Sequence, residues 1–242
     1  MKIIRKHILI LLASIAPFLY ELTVKILQIR CPQWDARRWS NSELSRWGKL
    51  FSGNVINVSG WDDRDKEGNC YQDYFPHKAS YTISNIKGSR GWSGAENEVF
   101  LDLTEELPQN LKKQYDVVFN HTTLEHIFDI RRAVANLCEL SRDIVIVVVP
   151  FLQPVHWEPG SFSDYWRPTP FALETMFREN GLEMLYCSNN DNPIFNVYLF
   201  GIASRIPEKW SSFFPPRVEA TPVNSPGMSW HNHKIPKSLN KF

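Results

Sequence analysis

The strongest constraint on the fold is an unbroken apolar run in the middle of the chain. Residues 144–149 read Ile-Val-Ile-Val-Val-Val, and Pro150 follows directly. A strand that faces water on one side alternates apolar and polar residues, whereas a strand covered on both faces has no polar break. The run therefore predicts a strand in the centre of a mostly parallel sheet.

Strands and helices alternate around this run. Further strands are predicted at 54–58, 81–86, 98–103, 115–120, 182–188 and 196–204. Helices are predicted at 41–51, 129–140 and 169–180, with Ser40, Asp129 and Thr169 as their N-caps and Glu43 completing a capping box after Ser40. This βαβ rhythm is typical of a Rossmann-like α/β domain. The last two strands have no helix between them, which indicates an antiparallel strand at the sheet edge.

The length of 242 residues favours one main domain with an extension at each end. We expect an apolar helix and linker at 1–40, the α/β domain at 41–204 and a proline-rich tail at 205–242. The N-terminal apolar run, residues 8–20, is shorter than the roughly 20 residues that a spanning helix needs. Two alternatives remain: a helix that packs on the domain or on a partner, and a helix that contacts a membrane surface through residues 8–28.

The charge and the cysteines indicate which partners, metal sites and cellular location to expect. The formal net charge is +1, so no global field draws the protein to nucleic acid, and we expect no nucleic-acid partner. The four cysteines are too far apart in sequence to resemble a zinc site or a disulfide framework. We therefore predict no metal site and a cytoplasmic location, with membrane association left open by the N-terminal run.

Candidate binding residues follow from the sheet. In an open parallel sheet, ligands bind at the carboxyl ends of the strands. The polar or small residues at those positions are Ser59, Gly60, Asn85, Asp102, Asn120 and His121.

Three segments of the chain resemble a known family. Residues 115–129 read Tyr-Asp-Val-Val-Phe-Asn-His-Thr-Thr-Leu-Glu-His-Ile-Phe-Asp, residues 100–103 read Phe-Leu-Asp-Leu before a Leu-Pro pair, and residues 164–170 read Asp-Tyr-Trp-Arg-Pro-Thr-Pro after Pro150 and His156. Together, and in this order, they resemble class I S-adenosylmethionine-dependent methyltransferases, in particular members encoded with glycan and lipopolysaccharide biosynthesis. The resemblance covers roughly residues 50–203.

The resemblance implies a seven-stranded, mostly parallel sheet with S-adenosyl-L-methionine lying across the ends of the first four strands. It places Asp102 at the adenine amino group, and Asn120 and His121 on the methionine side. It places four further residues at a small-molecule or glycan acceptor: His156, Asp164, Tyr165 and Arg167.

The chain departs from the family at two strand ends. The family's first strand usually ends in an acidic residue followed by a GxG loop, whereas here Asn57 stands in place of the acid and only Gly60 remains. The second strand usually ends in a carboxylate for the ribose hydroxyls, and here it ends in Asn85, which can bond a hydroxyl without charge assistance. The acidic loop at 62–67 offers candidate substitute carboxylates.

The leading hypothesis is a methyltransferase in which His156 or His121 removes the acceptor proton. The alternative is a catalytically inactive binding or scaffold protein on the same fold. A nicotinamide or nucleotide-sugar enzyme is disfavoured, because no GxGxxG follows the first strand. Two structural interpretations stand beside these roles: Asp164 and Arg167 pair and pin their own loop, and Asp102 caps the segment after it.

Overall fold

The computed structural model describes residues 10–16, 18–19, 22–23, 26, 35–86, 91–190, 197–216, 218–219 and 231–232. Its centre is one seven-stranded sheet. The strands are β1 Ser52–Val58, β2 His77–Asn85, β3 Glu98–Phe100, β4 Tyr115–His121, β5 Ser141–Leu152, β8 Glu183–Asn189 and β9 Val197–Ser204. A short hairpin, β6 Trp157–Glu158 and β7 Phe162–Ser163, stands apart from this sheet.

The strand order is β3-β2-β1-β4-β5-β9-β8. The first five strands pair in parallel. β9 runs antiparallel to both β5 and β8, between which it lies. The predicted doubly wound sheet is confirmed, and the antiparallel strand occupies the inner place in the edge pair.

Helices cover both faces of the sheet. They are α1 Ala36–Trp47, α2 Ile130–Leu140, α3 Pro170–Glu179 and the short α4 Pro207–Trp210. The predicted caps of α2 and α3 are confirmed, because Asp129 accepts from the backbone of Arg132 and Thr169 accepts from the backbone of Ala172.

The predicted cap of α1 is wrong. The helix begins earlier, since the Asp35 carboxylate accepts from the backbone N–H groups of Arg37 and Arg38. A carboxylate at a helix N-terminus satisfies free N–H groups and complements the helix dipole. Ser40 and Glu43 consequently lie inside the helix, where both are buried.

The apolar run in β5 is buried on both sides, as predicted. Val145, Val147 and Val149 belong to the core under α2 and α3. Ile144 and Ile146 belong to the core on the opposite face, together with α1 and the C-terminal Trp210 and Phe214. Burial of each such side chain contributes about 1.5–3 kcal/mol, so this strand anchors both cores.

The two extensions behave differently. Trp210 and Phe214 pack into the core, and Trp210 Nε1 donates to Asp143 Oδ2 at 2.9 Å. The tail from residue 217 lies outside the described residues apart from 218–219 and 231–232.

At the N-terminal end, the described residues between 10 and 26 are helical, and their large apolar side chains are exposed. The described residues of this segment are therefore not buried against the domain. No helix in the described part of the chain is long and apolar enough to cross a membrane.

Candidate functional site

A cavity of about 680 Å³ opens at the carboxyl ends of the first four strands. One wall consists of Ser59 after β1, the segment 102–104 after β3, and Thr123 after β4. The β6–β7 hairpin and its connecting turn, residues 157–163, form the opposite wall. This is the position at which an open α/β sheet binds a ligand.

The loop after β1 is fastened to the end of β2. The backbone N–H of Gly60 donates to Ser84 O at 3.1 Å, and that of Trp61 donates to Asn85 Oδ1 at 2.8 Å. Asn85 Nδ2 donates in return to Trp61 O at 3.0 Å and to Glu98 Oε1 at 2.7 Å. The Asn85 amide can both accept and donate these hydrogen bonds, whereas an ionised carboxylate at this position could only accept. The structure thus places Asn85 at the predicted strand end but engages its side chain within the protein.

Gly60 is required by packing as well. A Cβ at this position would lie 2.6 Å from Asn57 Nδ2 and 2.7 Å from Asn57 Cγ. Asn57 is held there because its Nδ2 donates to Asp63 Oδ1 at 2.8 Å. Ser59 and Trp61 have positive φ values of 58° and 49°, a conformation that non-glycine residues adopt at a cost. The side chain of Asn57 and the lack of a Cβ at Gly60 therefore shape this loop together.

Two carboxylates of the acidic loop point into the protein and not into the cavity. Asp63 is buried and accepts from Tyr81 Oη at 2.5 Å and from the backbone of Gln72. Asp65 is also buried and accepts from Tyr74 Oη at 2.6 Å. These two carboxylates support the loop and do not face the cavity as substitutes for a ribose-binding acid.

Asp102 lines the cavity and caps the next turn. Its Oδ1 accepts from the backbone N–H and the hydroxyl of Thr104, at 2.8 and 2.7 Å. No hydrogen bond within the described residues engages its other oxygen, Oδ2. The structural and the binding interpretation of Asp102 are therefore compatible.

Asn120 and His121 point to opposite faces of β4, because successive strand residues alternate. Asn120 is fully buried, and its Nδ2 donates to Val58 O at 2.9 Å. Its Oδ1 has no donor among the described residues.

His121 lies away from the cavity, beneath α1. Its ring lies 5.6 Å from the ring of Tyr71, and its two nitrogens lie 3.1 Å from the hydroxyls of Ser40 and Thr122. Burial lowers the pKa of His121 well below its usual value. The structure thus brings no free His121 nitrogen to the site.

The strongest catalytic geometry is at His156. Its Nδ1 lies 2.6 Å from Oδ2 of Asp164, and its backbone N–H donates to the same oxygen at 2.9 Å. The Asp164 side chain is fully buried, whereas 58% of the His156 side chain is exposed. Burial disfavours the Asp164 anion, but hydrogen bonds from Arg167 and His156 outweigh it and lower the pKa of Asp164. A buried anion thus orients an exposed imidazole.

Arg167 fixes the loop that carries this pair. Its guanidinium donates to Asp164 Oδ2 at 2.5 Å and to the carbonyls of Gln153 and Pro154. The backbone N–H of Tyr165 donates to Glu125 O at 2.7 Å, which ties the loop to the turn after β4. The predicted pairing of Asp164 with Arg167 is confirmed.

Two further titratable groups, Glu125 and His126, lie in the turn after β4 beside this pair. His126 Nδ1 lies 2.9 Å from Asp164 Oδ1, close enough for an ion pair but without the angle of a hydrogen bond. His126, His156 and Asp164 bring three ligand atoms within 4.8 Å of one another. Because Asp164 Oδ2 already accepts hydrogen bonds from Arg167 and His156, we interpret the cluster as an electrostatic arrangement around the Asp164 anion and not as a metal site.

Exposed aromatic side chains line the cavity mouth, which sequence reasoning noted only in part. Trp157, Phe128 and Tyr165 are 68%, 73% and 51% exposed. The Phe128 and Tyr165 rings meet edge to face at 5.5 Å. Three exposed aromatic residues at one opening are typical of a binding surface.

The architecture is the Rossmann-like methyltransferase fold, as the resemblance implies. No protein-family model matches the chain, and no curated protein sequence matches it. Among solved structures, a putative methyltransferase from Bacillus halodurans C-125 aligns with a TM-score of 0.50 and 9% identity, over 68% of this chain and 97% of that one.

Two other solved structures align over 70% of this chain at 13% identity. The [4+2]-cyclase SpnF has a TM-score of 0.50 and is covered over 80% of its length. The magnesium protoporphyrin IX methyltransferase from Synechocystis PCC 6803, with bound SAH, has a TM-score of 0.46 and is covered over 83%. At these identities the likeness establishes the fold, and the reaction must be argued from the site.

Proposed function

We propose that this protein is an S-adenosyl-L-methionine-dependent methyltransferase that acts on a sugar or glycan intermediate, with His156 as its general base. The observation that carries the proposal is the His156–Asp164 pair beside a cavity at the strand ends of a methyltransferase fold. The motifs around residues 115–129 and 164–170 support it independently of the fold.

The residues of the cavity fit the cofactor in part. Asp102 Oδ2 is available to accept from the adenine amino group. Asn120 Oδ1 is buried and lacks a donor among the described residues, but Asn120 does not line the cavity, whereas Ser59 does. Asn85 and Gly60 support the loop from within, so we expect the ribose hydroxyls to lack a carboxylate partner. Binding is then weaker by the contribution of one charge-assisted hydrogen bond, about 1.5–3 kcal/mol.

The cofactor, when bound, supplies an electrophilic methyl group, and the chain supplies position and a base. Asp164 holds the Nδ1–H tautomer of His156, which leaves Nε2 as the acceptor of a hydroxyl proton. Arg167 keeps Asp164 ionised, so that the imidazolium formed at His156 is stabilised. Asp164 itself cannot reach an acceptor because its side chain is fully buried.

The aromatic rim favours a ring-shaped acceptor. Trp157, Phe128 and Tyr165 offer flat apolar faces with polar edges, on which the apolar face of a sugar can stack. Tyr165 lines the cavity and belongs, with Arg167, to the loop that positions His156, so we expect the acceptor to bind on this side of the cavity.

Calorimetric titration with S-adenosylhomocysteine and a methyl-transfer assay over a panel of saccharide acceptors test this proposal. Binding of the ligand is expected, and H156A is expected to lower kcat about 10²–10⁴-fold without loss of that binding. The control is H77A, because His77 is exposed at the start of β2. No binding at millimolar ligand would refute the cofactor assignment and favour the scaffold alternative. Equal activity of H156A and H77A would refute the assigned base.

A further inference from the structure

The N-terminal helix carries an apolar stripe that the domain leaves uncovered. Described residues 10–16, 18–19, 22–23 and 26 are helical. At the helical spacing of about 100° per residue, seven large apolar residues fall within an arc of about 120°. They are Leu11, Leu12, Ile15, Phe18, Leu19, Leu22 and Ile26, and each is between 41% and 66% exposed. Ala13 lies on the opposite side of the helix, and Ile10, which is 55% exposed, also lies outside this arc.

Positive charge precedes this stripe. Lys2, Arg5 and Lys6 lie before it, and the first carboxylate of the chain is Glu21. The chain as a whole has a formal net charge of only +1. The positive charge is thus concentrated beside the exposed apolar surface, which is the complement of an anionic lipid surface.

The segment is suited to lie on a bilayer and not to cross it. Pro17, Glu21 and Lys25 interrupt the apolar residues, and the apolar run at 8–20 is shorter than the roughly 20 residues that a spanning helix needs. An amphipathic helix in this position buries its apolar face at the boundary of headgroups and acyl chains while its polar face stays in water.

We propose that residues 8–28 hold this protein on the surface of an anionic lipid bilayer, with the apolar stripe toward the acyl chains. A second copy is a poorer occupant for two reasons. The arc of about 120° is wider than the narrow seam of a two-stranded coiled coil. A parallel pair would also bring two copies of the Lys2, Arg5 and Lys6 cluster together. This proposal does not depend on the proposed reaction.

Sedimentation of the full-length protein with vesicles tests the proposal directly. The vesicles contain phosphatidylcholine alone, or phosphatidylcholine with about one-third phosphatidylglycerol. Binding is expected on the anionic vesicles and is weaker on the neutral ones. I15N and L22N are each expected to lower the partition coefficient about tenfold, since each removes a buried apolar side chain. The matched control A13N introduces the same side chain on the opposite side and is expected to change binding less than twofold.

Charge and oligomeric state complete the test. R5Q and K6Q are each expected to lower binding to anionic vesicles about fivefold and to leave binding to neutral vesicles unchanged. All variants are expected to unfold at the wild-type temperature, because the stripe is not packed on the domain. Absence of binding to anionic vesicles, or an equal loss in A13N and I15N, would overturn the proposal. So would a dimer in analytical ultracentrifugation that I15N dissociates in the absence of lipid.

Discussion

Glu125 is a carboxyl group that the fold holds away from water. It lies in the turn after β4, and only 2% of the residue is exposed. Its Oε2 has no donor within the described structure, and its Oε1 lies 3.7 Å from His126 Nε2. Burial, with a smaller contribution from the Asp164 charge, raises the pKa of Glu125 to about 8. At neutral pH the folded protein therefore holds this group mostly protonated.

The raised pKa makes stability depend on pH with a defined sign. The ordinary pKa is 4.5, so between pH 4.5 and about 8 the folded state binds a proton that the unfolded state has released. Stability must then fall as the pH rises through this window. From pH 5 to pH 8, pKa values of 4.5 and about 8 correspond to a loss of about 3–4 kcal/mol in the free energy of unfolding. E125Q keeps the shape and removes the titration, so it removes this loss.

Urea unfolding at pH 5, 6, 7 and 8 measures the effect. The free energy of unfolding of E125Q minus that of the wild type is expected to grow with pH by about 3–4 kcal/mol across this range. The control is E106Q, because Glu106 is exposed and the substitution therefore changes no buried carboxyl group. A difference between E125Q and the wild type that stays constant from pH 5 to pH 8 would refute the reasoning.

The loop after β1 supplies the remaining predictions. N85D removes the two hydrogen bonds that the amide donates to Trp61 O and to Glu98, and it places two carboxylates side by side; we expect a loss of about 1–3 kcal/mol in the free energy of unfolding at pH 7. Wild-type stability of N85D would show that these bonds do not hold the loop. G60A drives a methyl group into Asn57, and we expect a loss of about 1–3 kcal/mol by urea unfolding. Truncation of Asn57 to alanine in the G60A background should relieve that clash, and failure to recover any stability would contradict it.

The sequence was sufficient for the features that depend on local patterns. The run at 144–149 predicts a strand buried on both faces, and Asp129 and Thr169 predict helix starts, because periodicity and capping involve only neighbouring residues. The capping role predicted for Glu43 was wrong because the environment of this residue depends on a contact distant in sequence. The structure buries Glu43 against Tyr186, 143 positions away, and the Tyr186 hydroxyl donates to it at 2.5 Å.

The same distinction between local and long-range contacts applies to the candidate site. The sequence places His156, Asp164 and Arg167 in one loop, and their contacts with one another follow from that proximity. It could not show that Asn85 is engaged by Trp61, because that contact joins two strand ends 24 positions apart. The burial of His121 could not be predicted from the sequence either, because the residues that cover it come from α1 and from the segment after the acidic loop.

The place of β9 in the sheet has a consequence for synthesis of the chain. β5 has the most continuous apolar sequence in the protein, and its free edge is closed by β9, the last strand of the seven-stranded sheet to be made. Until Ser204 has left the ribosome, this edge and the edge of β8 both lack their partner. Exposed apolar strand edges pair readily with other chains. A chain that ends before residue 197 is therefore expected to aggregate during expression, although it contains the whole of the proposed catalytic loop and every residue that lines the cavity.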